Sequence, residues 1–231
     1  MRILLTDGES ALGNQLQGLL PDIQVFNLVD SVWLEEQIEE QFLKFNPEIL
    51  IHNAELSDRL AIENDAEKAM RQNIGNSLNI ALVCQRNRTR LVYVSTDEVY
   101  KGERGNYSEM DEVRPVDDFS WTKLGGETAV RLVQNHLIIR TGVAETHSGG
   151  GFVDQWFSHD TAVKIAPMVL EAAQSPLTGV LNIGSERKTS ESLLNTSMQI
   201  PGRSRRRQDS YRRVPADNSV NLSKWIEFKA E

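Results

Sequence analysis

The chain has 231 residues, of which 39% are hydrophobic and 25% are charged, and its formal net charge at pH 7 is −8. This length can bury the core of one large domain, and the acidic balance argues against a nucleic-acid-binding protein, which usually has a basic surface. It has no apolar run of about 18 residues and no leader with a small-residue cleavage site, so we expect no membrane span and no signal peptide. Because Cys84 is the only cysteine, no intrachain disulfide can form, and we expect a cytoplasmic protein.

Short apolar runs alternate with segments of helical periodicity as far as Thr141. The predicted strands are 2–6, 23–27, 48–54, 90–96 and 136–141. The predicted helices are 11–20, a segment between Ser31 and Pro47, a long helix over 64–85, and 120–135. Strands that alternate with crossover helices are typical of a parallel sheet covered on both faces. The sequence therefore predicts a Rossmann-like, doubly wound α/β domain over 1–145, which binds ligands at the carboxyl ends of its strands.

The pattern becomes less regular after Thr141. The predicted features are a glycine-rich flexible loop at 147–151, a helix over 161–174 that contains Pro167, a strand over 179–185 and an irregular arginine-rich stretch from Arg203 to Arg213. We expect 146–231 to form a reduced C-terminal lobe packed on the same domain. The arginines could clamp a diphosphate, but we favour a mobile solvated loop because the stretch has no apolar periodicity.

Several motifs occur in a characteristic order along the chain. They are IHNAE (51–55), NIGNSLNIA (73–81), VSTDEVY, GNYSE, TKLGGE and LIIRT, followed by FVDQW, GVLNIGSERKTS and VPADNSVNLSKW. Together they resemble the extended short-chain dehydrogenase/reductases, and most of all the dTDP-4-dehydrorhamnose reductase branch, which acts on nucleotide sugars. The resemblance implies an oxidoreductase that uses NAD or NADP, takes a dTDP-4-keto-6-deoxy sugar as its substrate, and can form a homodimer.

Catalysis in that family uses a Ser/Thr, a Tyr and a Lys, whose positions here hold Thr96, Phe119 and Lys123. The resemblance implies that Thr96 binds the reacting oxygen and that Lys123 holds the nicotinamide ribose. Phe119, however, has no proton to transfer, and general acid–base help is typically worth about 10²–10⁴-fold. A water held by Thr96 could substitute in part. In the alternative interpretation Lys123 is a solvated helix residue, and Thr96 and Ser95 cap the strand end.

The family's glycine-rich turn after the first strand is degenerate in this chain. Of the three glycine positions in its TGxxGxxG pattern, only Gly13 is kept, and the other two hold Asp7 and Ser10. These glycines let the backbone approach pyrophosphate, and the carboxylates of Asp7 and Glu9 oppose an anion. We therefore expect weak dinucleotide binding, with a purely structural turn as an equally weighted alternative.

The resemblance also assigns contact residues. The cofactor positions are Thr6, Gly8, Ala11, Leu12, Gly13, Asn27, Leu28, Asn53, Ala54, Asn73, Ser95 and Lys123, and the substrate positions are Asp97, Val99 and Tyr100. Asn27 and Leu28 stand where an acid normally binds the ribose hydroxyl. Phe152, Trp156 and Phe157 could line a base pocket or form the core of the lobe. The histidines lack metal-ligand spacing, so we predict no metal.

Two functional hypotheses follow. The first is a nucleotide-sugar reductase-like protein with reduced or lost activity. The second is a non-catalytic homologue that acts as a binding or regulatory subunit. Asp7, Ser10, Asn27, Phe119 and the shortened lobe all favour reduced or absent turnover.

Overall fold

The computed structural model describes residues 1–20, 22–26, 32–144, 152–196 and 205–230. Its strands are β1 (Ile3–Thr6), β2 (Gln24–Phe26), β3 (Ile49–His52), β4 (Arg90–Thr96), β5 (His136–Thr141), β6 (Val143–Ala144), β7 (Trp156–Phe157), β8 (Asp160–Thr161), β9 (Gly179–Asn182) and β10 (Lys188–Thr189). Its α-helices are α1 (Ala11–Leu19), α2 (Glu35–Phe45), α3 (Arg59–Asn64), α4 (Ala66–Ala69), α5 (Asn76–Asn87), α6 (Asp118–Val130), α7 (Ala162–Gln174), α8 (Ser190–Thr196) and α9 (Ser223–Ala230).

Six parallel strands form the central sheet in the order β2-β1-β3-β4-β5-β9. All residues of β1, β3 and β4 are buried, as expected for apolar strands that helices cover on both faces. Helices α1 and α7 pack on one face, and α2, α5 and α6 pack on the other. The predicted Rossmann-like parallel sheet is confirmed, and the predicted bounds of β4 and β5 match the structure.

The predicted long helix over 64–85 is wrong, because the chain forms separate helices there. Asp65 ends α3 and begins α4, where its carboxylate accepts a bond from the amide of Lys68 at 2.8 Å. A π-helical turn, Met70–Gly75, then leads into α5. Such turns often lie at functional sites. The helix predicted over 120–135 also shifts, because the Asp117 carboxylate caps α6 through the amide of Ser120 at 2.9 Å.

The C-terminal part contributes one strand to the central sheet and also forms smaller sheets of its own. Strand β9, from beyond residue 146, pairs with β5 in the central sheet, while β7–β10 and β6–β8 form two small sheets. The division at residue 145 therefore stays a prediction, with the sixth strand supplied by the second segment. The glycine-rich loop predicted at 147–151 lies outside the described residues. No helix in the described part of the chain is long and apolar enough to cross a membrane.

Gly13 and Gly18 of α1 offer a matched test of the tight β1–α1 turn. A Cβ at Gly13 would lie 2.1 Å from the backbone oxygen of Asp7, whereas a Cβ at Gly18 would meet nothing within 4 Å. We expect Gly13→Ala to lower the free energy of unfolding by about 1–3 kcal/mol, because neither clashing backbone can move cheaply. Gly18→Ala should raise it by roughly 0.4–1 kcal/mol by reducing the freedom of the unfolded chain. Urea unfolding measures both, and equal effects would contradict a tight turn.

Candidate functional site

A cleft of about 760 Å³ opens where β1, β3, β4 and β5 end. We call it the strand-end cleft, and its lining includes Asp7, Asn53, Glu55, Thr96 and Thr141. A second cavity of about 510 Å³, the arginine cavity, is lined by Arg205, Arg212, Arg213 and aromatic side chains. The two share lining residues that include Arg59, Phe119 and His159. This is the edge of a parallel sheet at which ligands are expected.

The turn between β1 and α1 is filled by its own side chains. Asp7 adopts φ 58°, the left-handed conformation that glycine adopts most readily, so the backbone keeps the turn although the glycine is lost. Its Oδ1 accepts bonds from the amides of Glu9 and Ser10, both at 3.1 Å. The Ser10 hydroxyl accepts from the amide of Gly13 at 3.1 Å and caps α1. Three amides of the turn are therefore already bonded within the chain.

Several predicted cofactor residues brace the strand ends against each other. The Thr6 hydroxyl, fully buried, accepts bonds from the amides of Asn53 and Ala54, both at 3.0 Å, and bonds His52 at 2.9 Å. Asn53 lines the strand-end cleft and donates from Nδ2 to Ser10 Oγ at 2.9 Å. Thr6 thus faces protein atoms, whereas Asn53 reaches the cleft.

The remaining predicted cofactor positions fall in different surroundings. Ala11 and Leu12 line the strand-end cleft, while Gly8 packs beneath Gln17 and Val25. Asn73 lies in the π-helical turn, and its side-chain amide bonds both backbone groups of Leu56 and the Thr122 hydroxyl. It therefore ties the segment after β3 to α6. Asn27 and Leu28 lie outside the described residues.

Lys123 is buried, with a side chain only 1% exposed. Its Nζ donates to the backbone oxygen of Val94 at 2.8 Å, lies 2.7 Å from a carboxylate oxygen of Glu55, and sits 4.5 Å from the centre of the Tyr93 ring. Burial disfavours the ammonium, but Glu55 and Tyr93 outweigh it and raise the pKa of Lys123. The burial excludes a solvated helix residue. The same environment, chiefly desolvation together with Lys123, lowers the pKa of His52 to about 3.

Phe119 lies at the boundary of both cavities and offers no exchangeable proton. It is 7% exposed and packs against Ile62 and Ala69. The Arg59 guanidinium lies 4.7 Å from the centre of its ring and pairs with Asp117 and, at 2.7 Å, with Glu98. A cation over an aromatic face is attracted by the ring quadrupole. Arg59 therefore covers the face of the ring at this position.

The end of β4 directs its polar side chains to different partners. Ser95 donates to Glu127 at 2.7 Å, and the Thr96 hydroxyl accepts from the amide of Glu98 at 3.2 Å. The Asp97 carboxylate lies 2.8 Å from Nε2 of His159, whose ring stacks on Phe157 at 4.2 Å. Burial lowers the pKa of His159, but Asp97 outweighs it and raises the value above normal. Thr96 and Ser95 both line the strand-end cleft while acting as strand-end caps or braces.

Two predicted substrate residues lie apart from the cavities. Val99 and Tyr100 are fully buried in an apolar cluster with Tyr107 and Val220. The Tyr100 hydroxyl donates to Asn182 at 3.0 Å and accepts from Arg140 at 3.0 Å. The structure gives these residues packing and hydrogen-bonding roles, and their contact with a substrate stays a prediction.

The arginine-rich stretch is placed from Arg205 onwards. Arg212 bonds Glu63 at 3.2 Å, and Arg213 lies 3.6 Å from Glu103. Phe152 and Phe157 line both cavities, whereas the Trp156 ring supports the guanidinium of Arg187 at 3.9 Å. Arg212 and Arg213 thus each have an acidic neighbour, and the mobile solvated loop that the sequence favours for this stretch stays a prediction.

Glu55, Arg59 and His159 are functional candidates that the motif comparison missed. Glu55 closes the IHNAE motif at a cleft-facing position, so an acid directly after a buried strand was the available signal. Nothing local indicated that Arg59 covers Phe119 or that His159 meets Asp97. Among the described residues, no group of three His, Cys, Asp or Glu side chains could hold a metal ion.

The fold and the strand-end cleft define a Rossmann-like protein with a ligand cleft at the carboxyl ends of its strands. The family model described as RmlD substrate binding domain matches residues 1–179, and the chain belongs to this family. A hypothetical dTDP-4-dehydrorhamnose reductase from Sulfolobus tokodaii is 26% identical with a TM-score of 0.84, and the match covers 98% of this chain and 94% of that one. A dTDP-4-dehydrorhamnose reductase from Bacillus anthracis, solved with NADP, is 18% identical with a TM-score of 0.83 over 98% and 92% of the two chains, which shows the shared fold.

Two curated relatives differ from each other in their described roles, one as an enzyme subunit and one as a reductase. The methionine adenosyltransferase 2 subunit beta of Rattus norvegicus is 30% identical over 127 residues, which are 55% of this chain and 36% of that protein. The probable low-salt glycan biosynthesis reductase Agl14 of Haloferax volcanii is 27% identical over 175 residues, 65% of this chain and 58% of that protein. The chain thus matches less than two thirds of the length of either relative. The predicted family is confirmed by the family model and the solved structures together.

The residues present do not fit a dinucleotide as they are folded. The Asp7 carboxylate already accepts from the amides of Glu9 and Ser10 in the turn, and the Glu55 carboxylate is paired with the Lys123 ammonium. Both groups are anionic, so each carboxylate opposes the approach of a negatively charged dinucleotide.

Restoring the turn should increase dinucleotide affinity. Asp7→Gly removes the carboxylate and suits the left-handed backbone, while Ser10→Gly should cost only a few tenths of a kcal/mol as a cap. We expect the double variant to bind NADPH or NADH about tenfold or more tightly than the wild type, for a gain of at least about 1.4 kcal/mol. Calorimetry measures this. Low-micromolar binding by the wild type would contradict the expectation of weak binding.

The His159–Asp97 pair should make stability depend on pH. Because the pKa of folded His159 is raised, its contribution is fully present below the unfolded pKa and is lost as pH rises through the folded value. We expect the free energy of unfolding of the wild type, relative to His159→Gln, to fall as the pH rises from the ordinary histidine pKa of about 6.5 through the raised folded pKa. Urea unfolding across this range measures the difference, and a difference that rises with pH would show that Asp97 does not dominate.

Proposed function

We propose that this chain binds a nucleotide sugar in the joined cavities and reduces it slowly or not at all. The observation that carries this proposal is Phe119, buried beneath Arg59 at the position where the family has a tyrosine. Phenylalanine neither donates nor accepts a proton. Loss of a general acid typically costs about 10²–10⁴-fold in rate.

The nearby polar groups do not replace the missing hydroxyl directly. The Thr96 hydroxyl accepts from the Glu98 amide and retains a proton with which it could orient a ligand oxygen. The His159 ring is bonded through Nε2 to Asp97. Thr96 therefore supports ligand binding, and neither arrangement supplies the acid that the family places on α6.

The arginine cavity supports the choice of a nucleotide sugar. Arg205, Arg212 and Arg213 line it, and guanidinium groups bind phosphates through paired hydrogen bonds. Phe152 and Tyr211 line the same cavity, with the guanidinium groups of Arg205 and Arg212 at 4.9 and 5.1 Å from their ring centres, so cationic and aromatic groups that could bind a phosphate and a base are combined there. A diphosphate flanked by a base and a sugar matches this combination of cationic and aromatic surfaces.

Reinstating the tyrosine tests the catalytic part of the proposal. With a dTDP-4-keto-6-deoxy sugar and NADPH, we expect wild-type turnover to be far below the usual range of about 1–10³ per second. Phe119→Tyr alone should add little, because dinucleotide binding is also weakened. Combined with Asp7→Gly and Ser10→Gly, it should raise turnover by about 10²-fold or more. NADPH consumption measures the rates.

The matched control for that series is the Asp7→Gly, Ser10→Gly pair without Phe119→Tyr, which should bind dinucleotide more tightly than the wild type and stay inactive. Wild-type turnover in the ordinary range would overturn the proposal. A triple variant as inactive as the wild type, despite bound NADPH, would show that the missing hydroxyl is not the cause and that the substrate or the reduced lobe is.

A non-catalytic subunit is the second candidate. The similarity to methionine adenosyltransferase 2 subunit beta supports it, since that relative is by its name a subunit of a larger enzyme. Mixing this chain with a methionine adenosyltransferase from the same organism and measuring masses by size-exclusion chromatography with light scattering tests the idea. A stable complex would support it, and separate elution at micromolar concentration would count against it. The chain alone in the same run tests the predicted homodimer.

A further inference from the structure

Glu55 lies between Lys123 and the strand-end cleft. Its side chain is 30% exposed and lines the cleft, whereas Lys123 is 1% exposed. The two charged groups are 2.7 Å apart. Any ligand that approaches the Lys123 ammonium from the cleft therefore meets the Glu55 carboxylate first.

All three protons of the Lys123 ammonium have partners in the folded chain. One goes to the backbone oxygen of Val94 at 2.8 Å, one to Glu55, and the third side of the group faces the Tyr93 ring at 4.5 Å. Val94 belongs to the central sheet and Tyr93 is 1% exposed, so neither can move aside. Glu55, partly exposed, is the partner that a ligand could displace.

The exchange of Glu55 for a ligand hydroxyl is unfavourable. A desolvated ammonium gains more from a carboxylate than from a neutral hydroxyl, because the charge–charge attraction is not offset by water. Separating the pair would leave a buried charge without its counter-ion. At the other end of the cleft, Asp7 holds the amides of Glu9 and Ser10 in the same way.

We propose that Glu55 is a specificity-determining residue that, together with Asp7, closes the strand-end cleft to NAD and NADP. Asp7 places a negative charge in the turn that lines the cleft, and Glu55 occupies the Lys123 ammonium, the group that the family resemblance assigns to the nicotinamide ribose. The arginine cavity is left open to the nucleotide sugar. This inference rests on the proposed function. It explains how the chain could bind a nucleotide sugar without binding NADH or NADPH, the reductant of the family reaction.

Asp58 supplies a matched control. It lines the same cleft, and its carboxylate caps α3 by accepting bonds from the amides of Leu60 and Ala61 at 2.9 and 3.1 Å. Asp58→Asn removes one negative charge from the cleft while asparagine keeps the cap. It leaves the Glu55–Lys123 pair in place, so it separates a general charge effect from release of Lys123.

The experiment is a fluorescence titration of NADPH and NADH on the full chain. We expect Glu55→Ala to tighten binding by at least about tenfold, Glu55→Gln to tighten it less, and Asp58→Asn to change it less than about threefold. Without ligand, Glu55→Ala should have a lower Tm than the wild type, and saturating NADPH should raise it. If Glu55→Ala does not fold, Glu55→Gln keeps the test intact because it retains an acceptor for Lys123.

A double-mutant cycle with Lys123→Met tests whether Glu55 weakens dinucleotide binding by occupying Nζ of Lys123. The gain from Glu55→Ala should disappear in the Lys123→Met background. An equal gain in both backgrounds, an equal gain from Asp58→Asn, or no gain at all would overturn the inference. These titrations measure dinucleotide binding on chains that keep Phe119, whereas the turnover assays measure the rate of reduction. A negative result in one set of experiments therefore leaves the result of the other set unaffected.

Discussion

The buried ion pair between Glu127 and Arg140 fixes helix α6 against the central sheet, and the geometry of the cleft depends on it. Glu127 is 0% exposed and Arg140 is 1% exposed, and the guanidinium donates to both carboxylate oxygens, at 3.0 and 2.7 Å. Ser95 donates to the same carboxylate at 2.7 Å. A pair this deeply buried is tolerated only when its hydrogen bonds are satisfied. It therefore specifies how far α6 is rotated and shifted against β4 and β5.

The same face of α6 carries Phe119, Lys123 and Glu127 at intervals of four residues, so one helix face presents all three towards the strand ends. Because all three residues belong to α6, the ion pair that fixes Glu127 also sets the positions of Phe119 and Lys123. The Lys123 ammonium is buried away from water, where an unpaired charge is unfavourable, and the Glu55 carboxylate is its counter-ion. Phe119 arrives beneath Arg59, which is anchored by Glu98 and Asp117.

The altered positions of the cleft form a consistent set. Asp7 keeps the left-handed backbone of the turn and bonds two of its amides. Glu55 neutralises a lysine that would otherwise be a buried unpaired charge. In both places a side chain of the protein provides the interaction that a bound anion or hydroxyl would otherwise provide. The polar groups of the turn and of Lys123 that are described here therefore have partners within the chain itself.

The sequence by itself determined the parallel sheet, because strands such as 90–96 and 136–141 contain continuous apolar runs at 91–94 and 137–139 and alternate with helical segments. It also located the degenerate turn at Asp7 and the missing hydroxyl at Phe119, since both follow from a fixed spacing within one motif. Only the tertiary structure decided that β9 joins the sheet, that a π-helical turn interrupts the helix after Asp65, that Glu55 meets Lys123 and that His159 meets Asp97. The strand pairing and the two ion pairs join residues that are distant in the chain, and local periodicity does not specify how the intervening loops bring them together.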